Sequence, residues 1–550
     1  MRMSYRSPLT AMFREAQAAC REAAAGGAPI DEVTAARAAR APTRRQVPSR
    51  RQVLAGAGAA TVATIVPRRS FAIGQPRVVI VGGGIAGLRC AQILWERRKI
   101  KAQIFEWDDR VGGRIQTLRN YFANSQITEQ HAEFISTEHR ATLRLAQDFG
   151  LGLENTNAYA PGTNDTYWFA GARYTQAQLN ADWQTFGYEL FRDAVDRAPG
   201  ASYLHYSQAA NEWDHMSVSE WVDKYVPGGL AGAFGKMCIA DVISEYGGPP
   251  EKQSALNLLY ILGYDTSTAS SYQPHKVPVV AGTDEKWHIR GGNDQLISGI
   301  AARLPEGTIA LGRQLIALRE NADGAYTCTF ANGAGTAEAI ADHVVLAIPF
   351  TTLRNVDLSR VTFSALKRTS IETLPLGNNA KIQIQVAGRP WVNDGYTGNL
   401  LTDTAPDGGW DGSSYQVSAQ AGDTEIYIAF PGGAQGRSLA TKYGMAFGAY
   451  QGPAPSQMVA DTLAGLEPSF PGIATAWHAG PKLAWVNDGN IDPKLLGAWS
   501  QYNVGQYTGF SGIEATRQGN IHFAGEQTSP EYQGFIEGAV RSGERAAGEI

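Results

Sequence analysis

A run of apolar residues that leads into three closely spaced glycines is the feature that most constrains this sequence. Val78–Val81 predicts a buried strand, followed by Gly82-Gly83-Gly84-Ile85-Ala86-Gly87 and a helix over Leu88–Arg97. Glycines at this spacing let the backbone turn tightly and approach a pyrophosphate at the positive end of the helix. A second predicted strand, Lys101–Phe105, ends in Glu106, at the offset where an acid binds ribose hydroxyls. Together these elements predict a fold that binds an adenine dinucleotide.

Size and composition narrow the class of protein further. A chain of 550 residues is long enough for two or more domains. A net charge of −4, without a basic patch interleaved with aromatic residues, argues against a nucleic-acid partner. The four cysteines lie far apart and the nine histidines form no H-x-x-x-H pair, so we expect neither a disulfide scaffold nor a metal site.

The first 73 residues have the character of a leader. Arg50 and Arg51 precede a mild apolar run from Val53 to Val66, and small residues follow near Ala72. This pattern predicts a twin-arginine export signal, and hence a periplasmic or secreted protein. The apolar run is too short for a permanent membrane span. The alternative is an Ala-rich helix packed on the folded domain, in which case the protein is cytoplasmic.

A second glycine turn follows the acid at 106. Arg110-Val111-Gly112-Gly113-Arg114 would bring backbone N–H groups and the Arg114 guanidinium to the same pyrophosphate. The spacing E-x-x-x-R-x-G-G-R after a dinucleotide fold resembles the flavin amine oxidases, which include monoamine, polyamine and L-amino-acid oxidases. The resemblance implies FAD as the cofactor.

Other motifs extend the resemblance along the chain, notably Gly291-Gly292, Val344–Pro349 and Gly525-Glu526. Together they imply a mixed α/β fold in which a Rossmann-like FAD-binding domain is interleaved with a substrate domain. The predicted ranges are 75–140, 287–350 and 493–550 for the FAD-binding domain, and 141–286 and 351–492 for the substrate domain.

The resemblance also assigns cofactor contacts. Leu315 would offer backbone hydrogen bonds to adenine, and Glu526, after Gly525, would bond the ribityl chain. The last helix, opened by Phe535 and Ile536, would turn its positive end toward the flavin. Ala498 stands where some members carry the cysteine that bonds flavin, so we expect noncovalent FAD.

Four residues form the predicted reaction site. Lys381 follows Leu376-Gly377 at the start of an alternating strand, in the place of the family's lysine that holds a water against flavin N5. Trp499 and Phe535 stand where monoamine oxidases carry two parallel tyrosines. Phe134 lies in the predicted strand beside the flavin, where His131 replaces a glycine of the family pattern.

We therefore expect oxidative deamination of a primary or secondary amine, with O2 reduced to H2O2. An L-amino-acid oxidase is the nearest rival, although one branch of such enzymes has a carboxylate-binding arginine where this chain has Phe134. Two further candidates are a dehydrogenase that passes electrons to a haem protein and a non-catalytic interaction protein on the same fold. A homodimer is one expectation for the assembly.

Overall fold

The structure is a computed structural model. It describes residues 75–156, 158, 164–267, 284–333, 335–392, 395–416 and 424–550. The predicted leader, including Arg50 and Arg51, lies outside the described residues. Within the described part of the chain, no helix combines the length and the apolar character needed to cross a bilayer.

The strands are numbered in chain order. They are β1 (Val78–Val81), β2 (Gln103–Phe105), β3 (Thr117–Leu118), β4 (Thr128–Glu129), β5 (Leu153–Asn155), β6 (Asn164–Phe169), β7 (Ala172–Arg173), β8 (Trp287–Ile289), β9 (Ile309–Ala310), β10 (Leu315–Glu320), β11 (Tyr326–Asn332), β12 (Gly335–Ala341), β13 (His343–Leu346), β14 (Asp357–Arg360), β15 (Ala380–Ala387), β16 (Tyr396–Thr402), β17 (Gly408–Asp411), β18 (Thr424–Ala429), β19 (Gln451–Pro453), β20 (Leu483–Asp488) and β21 (Ile521–Phe523).

The α-helices are numbered in the same way. They are α1 (Ile85–Arg98), α2 (Arg140–Asp148), α3 (Gln176–Asp182), α4 (Tyr188–Arg197), α5 (Gln208–Asp214), α6 (Val218–Tyr225), α7 (Ala233–Tyr246), α8 (Ala255–Ser267), α9 (Gln295–Ala301), α10 (Phe350–Leu353), α11 (Ala365–Thr373), α12 (Gly433–Lys442), α13 (Ser456–Leu466), α14 (Ile473–Ala479), α15 (Gln506–Phe510) and α16 (Ile536–Glu549).

A five-stranded parallel sheet holds the glycine motif. Its order is β21-β13-β1-β2-β9, so the central strand β1 pairs with strands from distant parts of the chain. Every residue of β1 is buried, as expected for a parallel strand covered on both faces. Helices α1 and α16 pack closely because Gly543 has no side chain, and a Cβ there would lie 2.3 Å from the Ala86 carbonyl oxygen.

Two further sheets complete the main framework. Strands β12-β11-β10-β14 form one, and β14 pairs with β10 although it falls in the range predicted for the substrate domain. An eight-stranded sheet, β19-β20-β15-β18-β17-β16-β6-β7, draws its strands from 164–173 and 380–488. Both faces of its strand β15 are buried from Ala380 to Val386. The predicted domain boundaries themselves stay a prediction.

The predicted mixed α/β fold class is confirmed, and some elements differ in detail. The sequence pattern of Ile309–Leu318 predicts one strand, but the structure has two, β9 and β10, because Gly312 turns the chain with φ +65°. The pattern of Gln176–Asp196 predicts one helix, and the structure interrupts it with a turn of π-helix at Trp183–Gly187. Gly187 lets this turn pack tightly, since a Cβ there would meet the rings of Trp183 and Phe234.

Candidate active site

One large cavity lies between the five-stranded sheet and the eight-stranded sheet. Its volume is about 1530 Å³, well above the several hundred cubic ångströms of an ordinary ligand pocket. Its wall runs from the glycine motif, through Arg114 and Phe134, to Lys381 and the segment that precedes α16. A cavity of this size has room for a dinucleotide and a small substrate together.

The glycine motif forms one end of the cavity. Gly82 adopts φ +106°, and a Cβ there would lie 2.6 Å from the Ala347 carbonyl oxygen. Gly84 is different, because a Cβ at this position would have nothing within 4 Å and would project into open space. Gly84 also begins α1 without a side-chain cap, so the helix's first N–H groups are available to an anion. Ile85 and Ala86 line the cavity beside them.

Gly87, predicted as a cofactor contact, is absent from the cavity wall within the described structure. A Cβ on Gly87 would lie 2.1 Å from the Gly82 carbonyl oxygen, so this glycine lets α1 pack against the end of β1. Its place in the motif is therefore explained by packing, and a direct role toward a cofactor stays a prediction.

Glu106 follows β2 at the same end of the cavity. Its carboxylate accepts hydrogen bonds from the N–H of Gly83 at 2.6 Å and of Asp108 at 2.7 Å. Burial raises the pKa of Glu106, and these two N–H groups act against that rise because they favour the ionised form. The acid is thus held rigidly beside the glycine loop, where a ribose would lie if a dinucleotide bound there.

The second glycine turn lies directly against the first. The Gly112 N–H donates to the Gly83 carbonyl oxygen at 2.9 Å. Arg114 follows this turn, lines the cavity, and donates to the carbonyl oxygen of Ala498 at 2.8 Å and to Glu526 at 2.9 Å. The contact of Arg114 with a pyrophosphate stays a prediction, and in the structure its guanidinium fixes Glu526.

Glu526 connects three separated parts of the chain. Besides Arg114, it accepts hydrogen bonds from the Ser500 N–H, from the Ser500 hydroxyl at 2.6 Å, and from the Gly534 N–H at 2.9 Å. Both carboxylate oxygens are therefore occupied within the protein while the residue lines the cavity. Its contact with a ribityl chain stays a prediction. In the structure, its hydrogen bonds join Arg114, Ser500 and Gly534 in the cavity wall.

The remaining predicted cofactor residues also line the cavity. They are Leu315, Gly525, Phe535 and Ile536. Phe535 is the N-cap residue of α16, so the positive end of that helix is directed at the cavity. The N-termini of α1 and α16, both without a side-chain cap, therefore line the same cavity.

Lys381 lies at the start of β15 and is 5% exposed. Its ammonium group lies 2.6 Å from the Glu133 Oε2 atom and donates to the Glu129 carbonyl oxygen at 3.1 Å. The other carboxylate oxygen of Glu133 accepts from the Trp410 indole at 3.2 Å and from the Tyr415 hydroxyl at 3.4 Å. The lysine predicted from the resemblance is therefore a buried cation in the cavity wall, neutralised by an acid that the sequence did not reveal.

A second buried hydrogen-bond network, formed by His288 and Glu129, lies next to the ion pair of Lys381 and Glu133. His288 bonds Glu129 at 2.9 Å, and the carboxylates of Glu129 and Glu154 raise the pKa of His288 to about 9 against the opposing effect of burial. His131 instead has its pKa lowered to about 3, by burial and by the nearby charges of Arg110 and Lys381. His131, which replaces a family glycine, therefore lines the cavity as a neutral imidazole.

Aromatic rings form a continuous wall next to Lys381. Phe134 packs on Trp410 with ring centroids 5.7 Å apart, and Trp410 packs on Phe430 at 4.9 Å. Phe430 in turn stacks on Trp499 at 6.1 Å with an interplanar angle of 11°. The two predicted cage residues, Trp499 and Phe535, both line the cavity, and Phe535 packs on His139 at 5.1 Å. Their arrangement around a substrate stays a prediction.

Sequence reasoning missed several acids that line this cavity besides Glu133. Among them are Asp241 and Glu245 on α7, and Glu285 before β8. Asp241 and Glu245 carried a usable signal, because they lie four residues apart in a largely apolar helix. Glu133 carried none, since it lies after the end of β4 and outside any regular element.

The chain matches the family model for flavin-containing amine oxidoreductases over residues 85–550. Among known proteins it is 25% identical to the flavin-containing amine oxidase A of Canis lupus familiaris, over 86% of this chain and 84% of that protein. It is also 25% identical to the human flavin-containing amine oxidase B, over 86% and 85%.

Solved structures share the fold. A cyclohexylamine oxidase from Brevibacterium oxydans superposes with a TM-score of 0.69 at 21% identity, covering 86% of this chain and 98% of that one. A wild-type putrescine oxidase bound to putrescine superposes with a TM-score of 0.68 at 20% identity and the same coverage. The protein belongs to the flavin-containing amine oxidoreductase family. It is an oxidoreductase that acts on CH–NH2 groups, as the resemblance predicted.

Proposed function

We propose that this protein is an FAD-dependent oxidase that converts a small amine to an imine and reduces O2 to H2O2. The observation that carries the proposal is a single cavity that joins the glycine loop at Gly84 to the buried ammonium of Lys381. The amine loses two electrons and two protons when it becomes an imine, and O2 accepts the two electrons and the two protons to form H2O2. Water then hydrolyses the imine to an aldehyde or ketone.

FAD fits the residues present at the glycine end. Gly84 leaves space where a pyrophosphate needs close backbone approach, and the N-terminus of α1 favours its charge. The N-terminus of α16 would favour negative charge on the flavin. Glu106 supplies a carboxylate for a ribose, and Arg114 a guanidinium for a phosphate. Bound flavin would supply the two-electron acceptor chemistry that no amino-acid side chain provides.

We further propose that the FAD is bound noncovalently. A covalent thioether needs a cysteine at the cavity, and the described cysteines, Cys90, Cys238 and Cys328, are buried elsewhere. Ala498 lines the cavity at the position where some relatives carry that cysteine. Acid precipitation of the yellow protein should therefore release the flavin into the supernatant.

The aromatic wall would bind and orient a neutral amine. Trp410, Phe430 and Trp499 offer flat apolar surfaces that exclude water and orient a C–H bond. Lys381 places a cation in the same wall, where it would polarise a water molecule and stabilise the negative charge that develops as O2 is reduced.

An amine is favoured over an L-amino acid by the charges of the cavity. A substrate carboxylate needs a cation, ideally a bidentate arginine. The described cavity wall also presents Glu133, Asp241, Glu245 and Glu285, and the ammonium of Lys381 is paired with Glu133. These acids would repel a carboxylate and attract an ammonium group.

The direct test is anaerobic titration of the purified flavoprotein with amines and L-amino acids. We expect amines to bleach the flavin absorption band, and amino acids to leave it unchanged. Mixing the reduced protein with O2 in a stopped-flow instrument should restore the band rapidly and yield peroxide. Slow re-oxidation by O2 but fast re-oxidation by a haem protein would identify a dehydrogenase instead. A colourless protein, or a flavin that no substrate bleaches, would identify a non-catalytic relative.

Export through the twin-arginine route and assembly as a homodimer also remain proposals. The first rests on Arg50, Arg51 and the apolar run that follows them. Sedimentation of the purified protein measures the second directly.

A further inference from the structure

Two carboxylates on helix α7 face the cavity beyond the aromatic wall. Asp241 and Glu245 lie four residues apart, which places them one turn apart on the same side of the helix. The indole N–H of Trp499 donates to the Glu245 carbonyl oxygen at 2.7 Å, so this end of α7 is attached to the aromatic wall. The acids therefore border the part of the cavity where an amine would be oxidised.

Their position is unfavourable for the stability of the helix. Like charges at this spacing repel each other, and carboxylates near a helix C-terminus also meet the negative end of the helix dipole. α7 ends at Tyr246, so both acids lie in its last two turns. The single basic residue of this helix, Lys236, pairs with Asp403 instead. Folding alone does not explain acids at these two positions.

Asp241 also lacks a partner that would compensate its burial. The residue is 9% exposed, and its Oδ2 atom has no hydrogen-bond partner in the described structure. A buried carboxylate oxygen without a donor costs free energy, and such a group at a cavity wall indicates a missing ligand with N–H donors.

The surrounding charges make this region strongly attractive to cations. Burial, together with the negative charges of Glu285 and Asp241, raises the pKa of Glu245 well above its ordinary value. Burial and the charge of Glu133 raise the pKa of Glu285 to about 7, and only Lys381 acts in the opposite direction. Carboxylates therefore extend from Glu133 to Asp241 along one side of the cavity. A bound cation would neutralise part of the negative charge of these carboxylates.

We propose that Asp241 and Glu245 bind a second ammonium group of the substrate, which makes the preferred substrate a linear aliphatic diamine or polyamine. The inference rests on the amine oxidase function proposed above. One nitrogen would lie at the aromatic wall for oxidation, and the alkyl chain would pass Trp499 to place the other nitrogen at Asp241. An ammonium group offers the N–H donors that the Asp241 Oδ2 atom needs.

The first test compares two substrates of equal chain length with the wild-type holoenzyme. Putrescine carries an ammonium group at each end of four carbons, whereas n-butylamine carries one. We expect kcat/KM for putrescine to exceed that for n-butylamine by about 100-fold, the value of a buried charge-assisted hydrogen bond. Equal values for the two amines would overturn the proposal, even if both amines bleach the flavin.

The second test uses variants of the acid pair. Asp241→Asn and Glu245→Gln should each lower kcat/KM for putrescine about tenfold or more beyond any loss with n-butylamine. Asp196→Asn is the matched control, because Asp196 is an exposed acid on α4 and its loss changes the net charge equally. An equal loss with both substrates would assign the acids to folding or catalysis and overturn the proposal.

A binding measurement separates this proposal from the chemistry. The dithionite-reduced holoenzyme cannot oxidise an amine, so anaerobic calorimetry reports the Kd alone. Putrescine should bind more tightly than n-butylamine, and Asp241→Asn should remove the difference. If no amine bleaches the oxidised enzyme and this binding difference persists, the oxidase function fails while the diamine site stands. If n-butylamine bleaches it and the difference is missing, the diamine site fails alone.

Discussion

The ammonium group of Lys381 and the carboxylate of Glu133 form an ion pair of 2.6 Å, with both side chains almost fully buried. Removing one member of such a pair leaves an uncompensated buried charge, which typically costs about 3–5 kcal/mol of stability. Lys381→Met and Glu133→Gln should therefore each lower the melting temperature more than the double variant does. Additive effects in this cycle, measured by thermal unfolding, would contradict the pairing.

The same two variants should differ in their reaction with O2. Lys381→Met removes the cation that stabilises developing negative charge, so we expect re-oxidation of the dithionite-reduced enzyme to slow about 10- to 100-fold. Glu133→Gln keeps the cation and should stay within about threefold of the wild type. Stopped-flow mixing with O2 measures both rates without an amine substrate. A similar slowing in both variants would assign the effect to structural damage.

Alanine substitutions at two glycines of the dinucleotide motif should affect different properties, FAD affinity in one case and stability in the other. Gly84→Ala adds a methyl group to open space in the cavity, so the apoprotein should keep its stability while the Kd for FAD rises about tenfold or more. Gly87→Ala forces a Cβ to 2.1 Å from the Gly82 carbonyl oxygen and should destabilise the fold itself. Gly548→Ala, near the end of α16, is the control, because a Cβ there meets nothing within 4 Å. Flavin titration and thermal unfolding of each apoprotein separate the two outcomes.

The preference for a diamine should depend on pH. Burial raises the pKa of Asp241 to about 7, so this carboxylate loses its charge when the pH falls below neutrality. Burial and the charge of Glu133 raise the pKa of Glu285 to about 7 as well, which adds to this change. The ratio of kcat/KM for putrescine to that for n-butylamine should therefore rise between about pH 6 and about pH 8. Taking the ratio of the two kcat/KM values removes the effect of ionisation of the reacting amine, which the two substrates share. In Asp241→Asn, this ratio should change less with pH.

The export prediction concerns the leader. Replacing Arg50 and Arg51 together by lysine keeps the charge but removes the twin-arginine pair that the export route recognises. A reporter protein fused to residues 1–73 should reach the periplasm with the native leader and stay in the cytoplasm with the lysine pair. Lysine at Arg68 and Arg69 is the control, because those residues follow the apolar run. Equal export of the native and lysine-pair fusions would contradict the prediction.

The fold class and the strand, glycine turn and helix at one end of the cavity could be predicted because local rules determine them. The apolar run Val78–Val81 and the glycines after it specify strand, turn and helix within a few residues, and Glu106 follows at the offset typical of such folds. The helix start was placed three residues late, at Leu88 instead of Ile85, since glycine and alanine next to a turn give weak helix signals.

The substrate end could not be predicted because its contacts join distant parts of the chain. Glu133 meets Lys381 across 248 residues, and Trp499 meets Glu245 across 254. The cage of Trp499 and Phe535 was drawn from the family pattern and stays a prediction, whereas the stacking of Phe430 on Trp499 is seen only in the structure.

The position of β21 at the edge of the parallel sheet has a consequence for the order in which the protein matures. Strand β21 pairs with β13, and Gly525, Glu526 and the N-terminus of α16 all follow it in the chain. The glycine loop in the wall of the same cavity is synthesised first. At roughly 5–20 residues per second, it waits on the order of tens of seconds for these later residues. We therefore expect flavin to bind late in biosynthesis, and protein truncated before Ile521 to accumulate as apoprotein.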